Sequence, residues 1–328
     1  MDLKKKRLRF FPCGKEVFET LFETLGHDLK QNEKLSLHTT FGIGGEAELF
    51  YVARRPEDLI KAIQVAKEVK IPFFVLGGGS NVLVSDSGFG GLVIKNQCDK
   101  IFLSDEKITC QSGANLDDLV NSSCENSLSG VEFLAGILGT IGGAVYGNAG
   151  AWGKGVGDLL TEAVILNSQE RIEKVPKNYF EFGYRDSKLK KTKDILLSAT
   201  FELKTGEKEK IKKEVQKNLE ERKGRLPQKE KSAGCFFRNV VDNGPVLKAR
   251  PEGLAVNGKK ISAGFLLERV GAKQMRQGEA AVFIRHANIL VNLGKASSKD
   301  VRRLANFLKK KVKEKFDIDL EEEIVYLS

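Results

Sequence analysis

The chain has 328 residues, of which 41% are hydrophobic and 30% charged, as in a soluble globular protein with room for two or three domains. Its 54 Lys and Arg outnumber its 44 Asp and Glu, giving a net charge of +10. The basic residues are interspersed with acidic ones rather than gathered in one stripe, so nucleic-acid binding is the less favoured reading of this charge, and no run of about 18 apolar residues predicts a membrane span.

The five cysteines form no CxxC pair and show no metal-ligand spacing, so the sequence predicts neither a disulfide framework nor a metal site. The chain begins with a basic segment that is not followed by an apolar one, and we therefore expect no secretory signal. Together these features predict a cytoplasmic protein in a reducing compartment. A monomer is the favoured oligomeric state.

The first elements lead to a glycine-rich loop. Within an N-terminal appendage of residues 1–34, apolar residues from Val17 to Leu25 recur at helical spacing. A strand over 47–53, a helix from Pro56 to Lys70 and a second strand over 72–76 then form a βαβ unit. This unit delivers Gly77, Gly78, Gly79, Ser80 and Asn81 at the carboxyl end of a strand, where ligands of α/β proteins bind.

A second stretch, residues 132–153 (EFLAGILGTIGGAVYGNAGAWG), is rich in Gly and Ala and poor in charge. It offers too little apolar side chain for an ordinary core, but its backbone N–H groups can approach a phosphate or a flat cofactor. Two such loops indicate one extended phosphorylated ligand held at two points; the alternative is a pair of tight turns. Neither GxGxxG opening a helix nor GxxxxGK[ST] is present, so Rossmann and P-loop sites are disfavoured.

The remaining periodicities predict short strands and longer helices. We expect strands over 91–95, 107–111, 164–167, 195–203 and 320–326, and helices over 116–126, 207–223, 262–270 and 298–315. The helix over 207–223 is strongly charged and predicted to be exposed, and a domain boundary is placed just before it, near Thr205. The predicted domains are 35–96, 97–205 and 206–328.

Seven blocks occur in order along the chain: HTTFGIGGEAELF, LGGGSNVLVSDSGF, EFLAGILGTIGGAVYGNAGAWG, FGYRDS, SAGCFFRN, HANILVN and LEEEIVYL. In this arrangement the chain resembles the UDP-N-acetylenolpyruvoylglucosamine reductases, in their shorter subclass. The resemblance covers about residues 36 to 328. It implies an α+β fold, with two FAD-binding subdomains of the vanillyl-alcohol-oxidase (PCMH) type and a C-terminal α+β substrate domain.

The resemblance also implies a reaction and its cofactors. NADPH reduces a non-covalently bound FAD, and the reduced flavin passes hydride to the enolpyruvyl group of a UDP-sugar, giving UDP-N-acetylmuramate for peptidoglycan. The implied FAD-binding residues lie in the two glycine-rich stretches: Gly77, Gly78, Gly79, Ser80, Asn81, Gly139, Thr140, Gly142, Gly143, Ala144 and Asn148.

Three residues match the catalytic positions of these reductases: Arg185 for the substrate carboxylate, Cys235 as proton donor and Glu323 as polarising acid. Cys235 departs from the usual serine, yet a thiol with an ordinary pKa of about 8.5 is a better acid than an alcohol. The alternatives are a salt bridge of Arg185 to Asp186 or another acid, a buried structural role for Cys235, and a solvated acidic turn around Glu323. Asn239, His286 and Asn288, with Arg185, are the implied substrate contacts, His286 being as well explained by packing.

Two further readings remain at this point. Another flavin oxidase or dehydrogenase could share the glycine loops, and a nucleic-acid-binding protein could use the positive charge. Residues 242–260 interrupt the resemblance as an insertion, and the grip on the UDP moiety is left open.

Overall fold

The computed structural model describes residues 14–241, 256–257 and 260–328, so the basic start and most of the 242–260 insertion lie outside the described residues. The helices of this part are α1 (Gly14–Leu25), α2 (Pro56–Glu68), α3 (Leu116–Glu125), α4 (Ile141–Gly147), α5 (Val156–Leu159), α6 (Leu189–Thr192), α7 (Lys208–Arg225), α8 (Ala263–Arg269) and α9 (Ser298–Phe316). The strands are β1 (Lys30–Lys34), β2 (Glu46–Ala53), β3 (Phe73–Leu76), β4 (Val82–Val84), β5 (Phe89–Asn96), β6 (Ile101–Ser104), β7 (Lys107–Gln111), β8 (Leu128–Ser129), β9 (Gly150–Ala151), β10 (Lys154–Gly155), β11 (Leu160–Leu166), β12 (Ile172–Pro176), β13 (Ile195–Glu202), β14 (Lys204–Thr205), β15 (Lys231–Cys235), β16 (Val240–Val241), β17 (Val256–Asn257), β18 (Lys260–Ile261), β19 (Arg276–Gln277), β20 (Ala280–Val282), β21 (Ile289–Asn292) and β22 (Val325–Leu327).

The first sheet has the strand order β1-β2-β5-β3, in which β2, β5 and β3 are parallel and β1 is antiparallel to β2. The predicted βαβ unit is confirmed, although β5 lies between its two strands. Pro56 begins α2, where a fixed φ and a missing N–H cost nothing. The apolar face of α2 is buried with that of α1 in one core, so β3 ends rigidly at the glycine loop.

The second sheet is antiparallel throughout, in the order β12-β11-β13-β7-β6. Its core includes Phe133, Leu134, Ile141, Ala144 and Val145. The expectation that residues 132–153 are too small-sided for a core was therefore wrong, because these apolar residues among the glycines point inward, whereas Leu138 and Trp152 are exposed. The glycines let this segment run close to the sheet and form the short α4.

The third sheet, β15-β21-β20-β19, packs with α8 and α9 around another core. A capping box formed by Ser297 and Asp300 begins α9, and Val301, Leu304 and Leu308 are fully buried along its inner face. The last strand leaves this part of the molecule and pairs in parallel with β4, next to the first glycine loop. The chain thus returns to the place where its first ligand loop lies.

Candidate active site

The two glycine-rich loops lie against each other. A Cβ atom added to Gly77 would fall 2.4 Å from Oγ1 of Thr140, and one added to Gly78 would fall 3.3 Å from Cα of Gly139. Gly79 has φ of +68°, and a Cβ there would meet the carbonyl oxygen of His38 at 2.2 Å. Only glycine fits this approach, and the two stretches singled out in the sequence lie side by side.

These loops present a row of backbone donors. The backbone N–H groups of residues 77–81 donate no hydrogen bond to any described residue. The same is true of the N–H groups of Gly139 and Thr140. Backbone N–H groups without a protein partner in a glycine-lined cradle are what an anionic pyrophosphate requires. The cradle therefore fits the FAD implied by the sequence.

Gly142, Gly143 and Ala144, in the second glycine-rich stretch, use their backbone N–H groups within the protein. The N–H of Gly142 donates to the Ser112 carbonyl at 2.7 Å, and the N–H groups of Gly143 and Ala144 donate to Thr140. These donors are used within the protein in this structure, and a role of Gly142, Gly143 and Ala144 in FAD binding stays a prediction. These hydrogen bonds anchor α4 to the end of β7.

A polar cavity of about 520 Å³ opens beside the loops. Besides glycines and Thr140, its lining includes Arg54, Lys95, Asn96 and Asn115. Lys95 donates to the Gly77 carbonyl, and burial lowers the pKa of this lysine. The cradle thus continues into a space of suitable size for part of an extended ligand.

Arg185 lies at the tip of a two-residue hairpin turn, between Gly183 and Asp186, whose backbones exchange hydrogen bonds of 3.0 and 3.3 Å. Its φ of +54° is in the left-handed region, where a residue other than glycine is strained by about 1–3 kcal/mol. Asn148 holds this hairpin, because its amide donates to Gly183 and accepts from the N–H of Gly157. Both polar ends of the Asn148 side chain are therefore engaged with protein rather than turned to a cofactor.

The guanidinium of Arg185 bridges two parts of the molecule. Its Nη2 donates to the Gly150 carbonyl at 2.8 Å, and its Nε lies 2.9 Å from Oε1 of Glu323. The acid that pairs with Arg185 is therefore Glu323 and not Asp186, which lies 3.7 Å from the ammonium of Lys190. Two predicted catalytic residues, separated by 138 positions in the sequence, are thus in direct contact.

Glu323 is fixed through its backbone. Its N–H donates to the Phe236 carbonyl at 2.8 Å, and its carbonyl accepts from the side chain of Asn81 at 3.0 Å. The last residue of the GGGSN loop therefore positions this acid, a role that the sequence analysis missed. Burial raises the pKa of Glu323, while Arg185, Arg238 and Lys190 act in the opposite direction.

Cys235 ends β15 after Gly234, whose φ is +74°, and the pairing with β21 shifts register at this point. Such an irregularity redirects side chains. The residue is exposed to solvent, although the neighbouring protein still reduces the hydration of its thiol. This environment, with the charge of Glu323, raises its pKa to about 11, against the opposing effect of Arg185 and Arg222. The thiol is protonated at neutral pH.

Sequence reasoning missed three cations of this cluster: Lys190, Arg222 and Arg238. Arg222 extends from α7, donates to the Phe133 carbonyl at 2.9 Å and lies 4.8 Å from the ring centre of Trp152. Within the described part of the chain, the Nε atoms of Arg222 and Arg238 are buried without a hydrogen-bond partner. Buried donors of this kind call for an acceptor from outside the protein.

The three predicted substrate contacts behave differently. Asn288 is only 3% exposed, and its amide is bonded at both ends to the backbone of Phe237. These bonds give Asn288 a structural role in this structure, and a contact of its side chain with substrate stays a prediction. Asn239 accepts from the N–H of Ala263, and its own N–H donates to the hydroxyl of Tyr184 next to Arg185. His286 is half-buried and accepts from the N–H of Asn288; burial and the charge of Arg225 lower its pKa.

The described residues contain no group of three or more His, Cys, Asp and Glu that could hold a metal ion. No described helix combines the length and the apolar character needed to cross a membrane.

Comparisons with known proteins agree with this geometry. The family model for the C-terminal domain of UDP-N-acetylenolpyruvoylglucosamine reductase matches residues 226–327, and one for an FAD binding domain matches residues 47–175. The chain is 36% identical over 310 residues to a UDP-N-acetylenolpyruvoylglucosamine reductase of Clostridium botulinum, covering 94% of this chain and 96% of that protein. A protein of the same name from Desulforamulus reducens is 38% identical over 298 residues, 90% of this chain and 92% of that protein.

A solved structure is similar over the same extent. The UDP-N-acetylenolpyruvylglucosamine reductase of Thermus caldophilus superposes with a TM-score of 0.72 at 31% identity, covering 92% of this chain and 98% of that one. The predicted fold, an FAD-binding region followed by a C-terminal domain of the reductase family, is confirmed. The chain belongs to the UDP-N-acetylenolpyruvoylglucosamine reductase family, the FAD-dependent oxidoreductases of peptidoglycan synthesis.

Proposed function

We propose that Arg185, Cys235 and Glu323 carry out the reduction of the enolpyruvyl group of the UDP-sugar, with NADPH as reductant. The observation that carries this assignment is the cluster itself. The buried Glu323 and one protonated thiol lie among four cations, Arg185, Lys190, Arg222 and Arg238, with Asp186 beside Lys190 and the exposed Glu321 at 4.0 Å from Arg238. This excess of positive charge suits a substrate with a carboxylate and a diphosphate.

When bound, FAD supplies the hydride that adds to the terminal carbon of the enolpyruvyl group. Negative charge then develops on the central carbon and its carboxylate. Arg185 is suited to bind this carboxylate, because its charge is fixed and its forked donors match two oxygens. Since Nε is held by Glu323 and Nη2 by Gly150, the guanidinium cannot rotate away from the position in which it meets the substrate.

Cys235 would donate the proton that completes the product. A general acid must be protonated at the working pH and must be reachable, and the thiol with its raised pKa and its exposure meets both conditions. The proton moves from Sγ to the central carbon, leaving a thiolate between Arg185 and Arg222. Their charges favour this thiolate, since each acts to lower the thiol pKa.

Glu323 would orient Arg185 and balance one of the four positive charges. Because the pair is partly buried, loss of Arg185 would leave the Glu323 carboxylate without its closest charge partner, which is costly. The buried Nε atoms of Arg222 and Arg238 are donors that the anionic substrate can satisfy. Asn239 and His286 remain proposed substrate contacts, and we infer a cytoplasmic monomer that does not bind nucleic acid.

The proton-donor role is tested by Cys235→Ala and Cys235→Ser in stopped flow, starting from pre-reduced enzyme mixed with the enolpyruvyl UDP-sugar. Cys235→Ala should slow flavin reoxidation by about 10²–10⁴-fold, the usual contribution of a general acid, whereas Cys235→Ser keeps substantial turnover. Reduction by NADPH should be unaffected in both variants. An alanine variant that reoxidises its flavin at the wild-type rate would remove Cys235 from the mechanism.

A further inference from the structure

The turn that carries Arg185 is held by a residue to which nothing so far assigns a function. Lys190, on the one-turn helix α6, donates from Nζ to the backbone carbonyl of Arg185. Its side chain is only 21% exposed. A lysine bonded to the carbonyl of a left-handed residue stabilises a conformation that the residue itself disfavours.

The surroundings of Lys190 leave its ammonium little freedom. It lies 3.7 Å from Oδ1 of Asp186 and 5.5 Å from the ring centre of Tyr146. Glu323 attracts this charge and Arg238 opposes it. The ammonium therefore contacts the Arg185 turn and lies in the field of the acid that pairs with the Arg185 side chain.

Other hydrogen bonds also hold the hairpin, but they do not reach the carbonyl of Arg185. Asn148 holds Gly183, and Ser187 donates to the Tyr146 carbonyl at 2.8 Å. These bonds fix the two ends of the turn. Among the described residues, Lys190 is the one that donates a hydrogen bond to the carbonyl of Arg185 itself. The orientation of this peptide, which sets the direction of the guanidinium, therefore depends on Lys190.

We propose that Lys190 is a positioning residue for the reduction: it holds Arg185 in the left-handed conformation from which the guanidinium meets both Glu323 and the substrate carboxylate. The inference rests on the proposed role of Arg185. Lys190 acts through Arg185 and through the charge next to Glu323, without touching the reacting atoms. A misplacement of about 1 Å in such a group can lower a rate by about 10²-fold.

The test compares Lys190→Met, which keeps the apolar stem but removes the charge and the donor, with Lys190→Arg, which keeps both. The half-reaction of dithionite-reduced enzyme with the enolpyruvyl UDP-sugar should slow by about 10²-fold in Lys190→Met, with a raised KM for that substrate. Reduction of the bound flavin by NADPH should keep its wild-type rate. Lys190→Arg should recover most of the lost rate.

Lys188→Met is the matched control. Lys188 lies two residues away, is also partly buried, pairs with Glu181 at 3.4 Å and lies 4.6 Å from the ring centre of Tyr179, away from Arg185. Both half-reactions should be normal in this variant. If Lys190→Met does not fold, Lys190→Gln provides the same comparison, because it also removes the charge.

Two results would overturn the positioning role: a wild-type reoxidation rate in Lys190→Met, or an equal slowing of both half-reactions that Lys190→Arg fails to reverse. The second result would indicate a general loss of structure. Wild-type enzyme that does not oxidise NADPH in the presence of the enolpyruvyl UDP-sugar would instead remove the proposed function, so the two failures are distinguishable.

Discussion

Single residues show how the same side chain can be accessible and yet unreactive. Cys235 is exposed, but desolvation by the neighbouring protein and the charge of Glu323 raise its pKa to about 11. The ordinary thiol value used in the sequence analysis therefore overstated its acidity. Because thiolate is the reactive form, an exposed cysteine of this kind is protected at neutral pH.

This protection predicts a pH profile for alkylation of the free enzyme by iodoacetamide. Below pH 11 the thiolate fraction rises about tenfold per pH unit, so the rate at Cys235 should climb from pH 7 to pH 10 without levelling off. Glu323→Gln removes a negative charge that raises the thiol pKa, and should therefore speed alkylation at any pH in this range. Labelling is measured by mass spectrometry of the peptide.

Cys235→Ser serves as the background control, since the described Cys98 and Cys110 are buried and burial raises their pKa to about 12. A rate that levels off near pH 8.5 would contradict the raised value. So would slower alkylation in Glu323→Gln.

At the scale of elements, the cradle depends on how closely two loops approach. We expect Gly78→Val to force these loops apart, because even a Cβ would be 3.3 Å from Cα of Gly139 and a valine adds two methyl groups. Purified protein should then retain less FAD, measured as the ratio of absorbance at 450 nm to that at 280 nm.

Gly90→Val is the matched control for this loss. Gly90 lies on β5, is exposed and has no atom within 4 Å of an added Cβ, so the variant should keep its flavin. Full FAD content in Gly78→Val would show that the loops do not form the cofactor cradle. Gly142→Val is a poorer probe, because a Cβ there would meet the Ser112 carbonyl oxygen at 3.0 Å and would disturb the second core as well.

Elements with a clear hydrophobic period were predictable, and those without one were not. The helices α2, α3 and α9 agree with their patterns because each buries one apolar face. The strand β1 (KQNEK) was missed because an exposed edge strand has no apolar alternation. The helix α4 was read as loop because its glycines have low helix propensity, which tertiary packing overrides.

The same physical limit applies to the site. Motif resemblance identified Arg185, Cys235 and Glu323. The chain has 54 Lys and Arg residues, and nothing in the sequence indicates which few of them are buried together at the site. Arg222 was assigned to an exposed charged helix, yet its side chain reaches the catalytic cluster. Helix α7 packs on α3 and on residues 132–134, and the match to the C-terminal family model starts at residue 226. Both observations favour a domain boundary near Arg225 over the predicted one near Thr205.

At the scale of the whole molecule, the catalytic cluster depends on the return of the chain to the first sheet. The N–H of Val325 donates to the Asn81 carbonyl, and the Asn81 side chain donates to Glu323. Removing residues 325–328 should therefore weaken FAD retention and catalysis together, because one change frees both the cradle and the acid. Flavin content and NADPH oxidation are the measurements.

Removing Ser328 alone is the control for this truncation. Ser328 is exposed and lies outside β22, so its loss should change neither quantity. A shortened chain that keeps its flavin but loses turnover would mean that the strand serves Glu323 alone. The proposed coupling between cradle and acid would then be wrong.

The pairing of β4 with β22 also has a consequence for the order of folding. The two strands pair in parallel although about 240 residues of chain separate them. Closing so long a loop is slow, because the chain loses conformational entropy before the stabilising contacts form. The local helices and the hairpins of the second sheet can form without this closure. The part of the cradle that Asn81 joins to Glu323 is therefore complete only once this long-range pairing has formed.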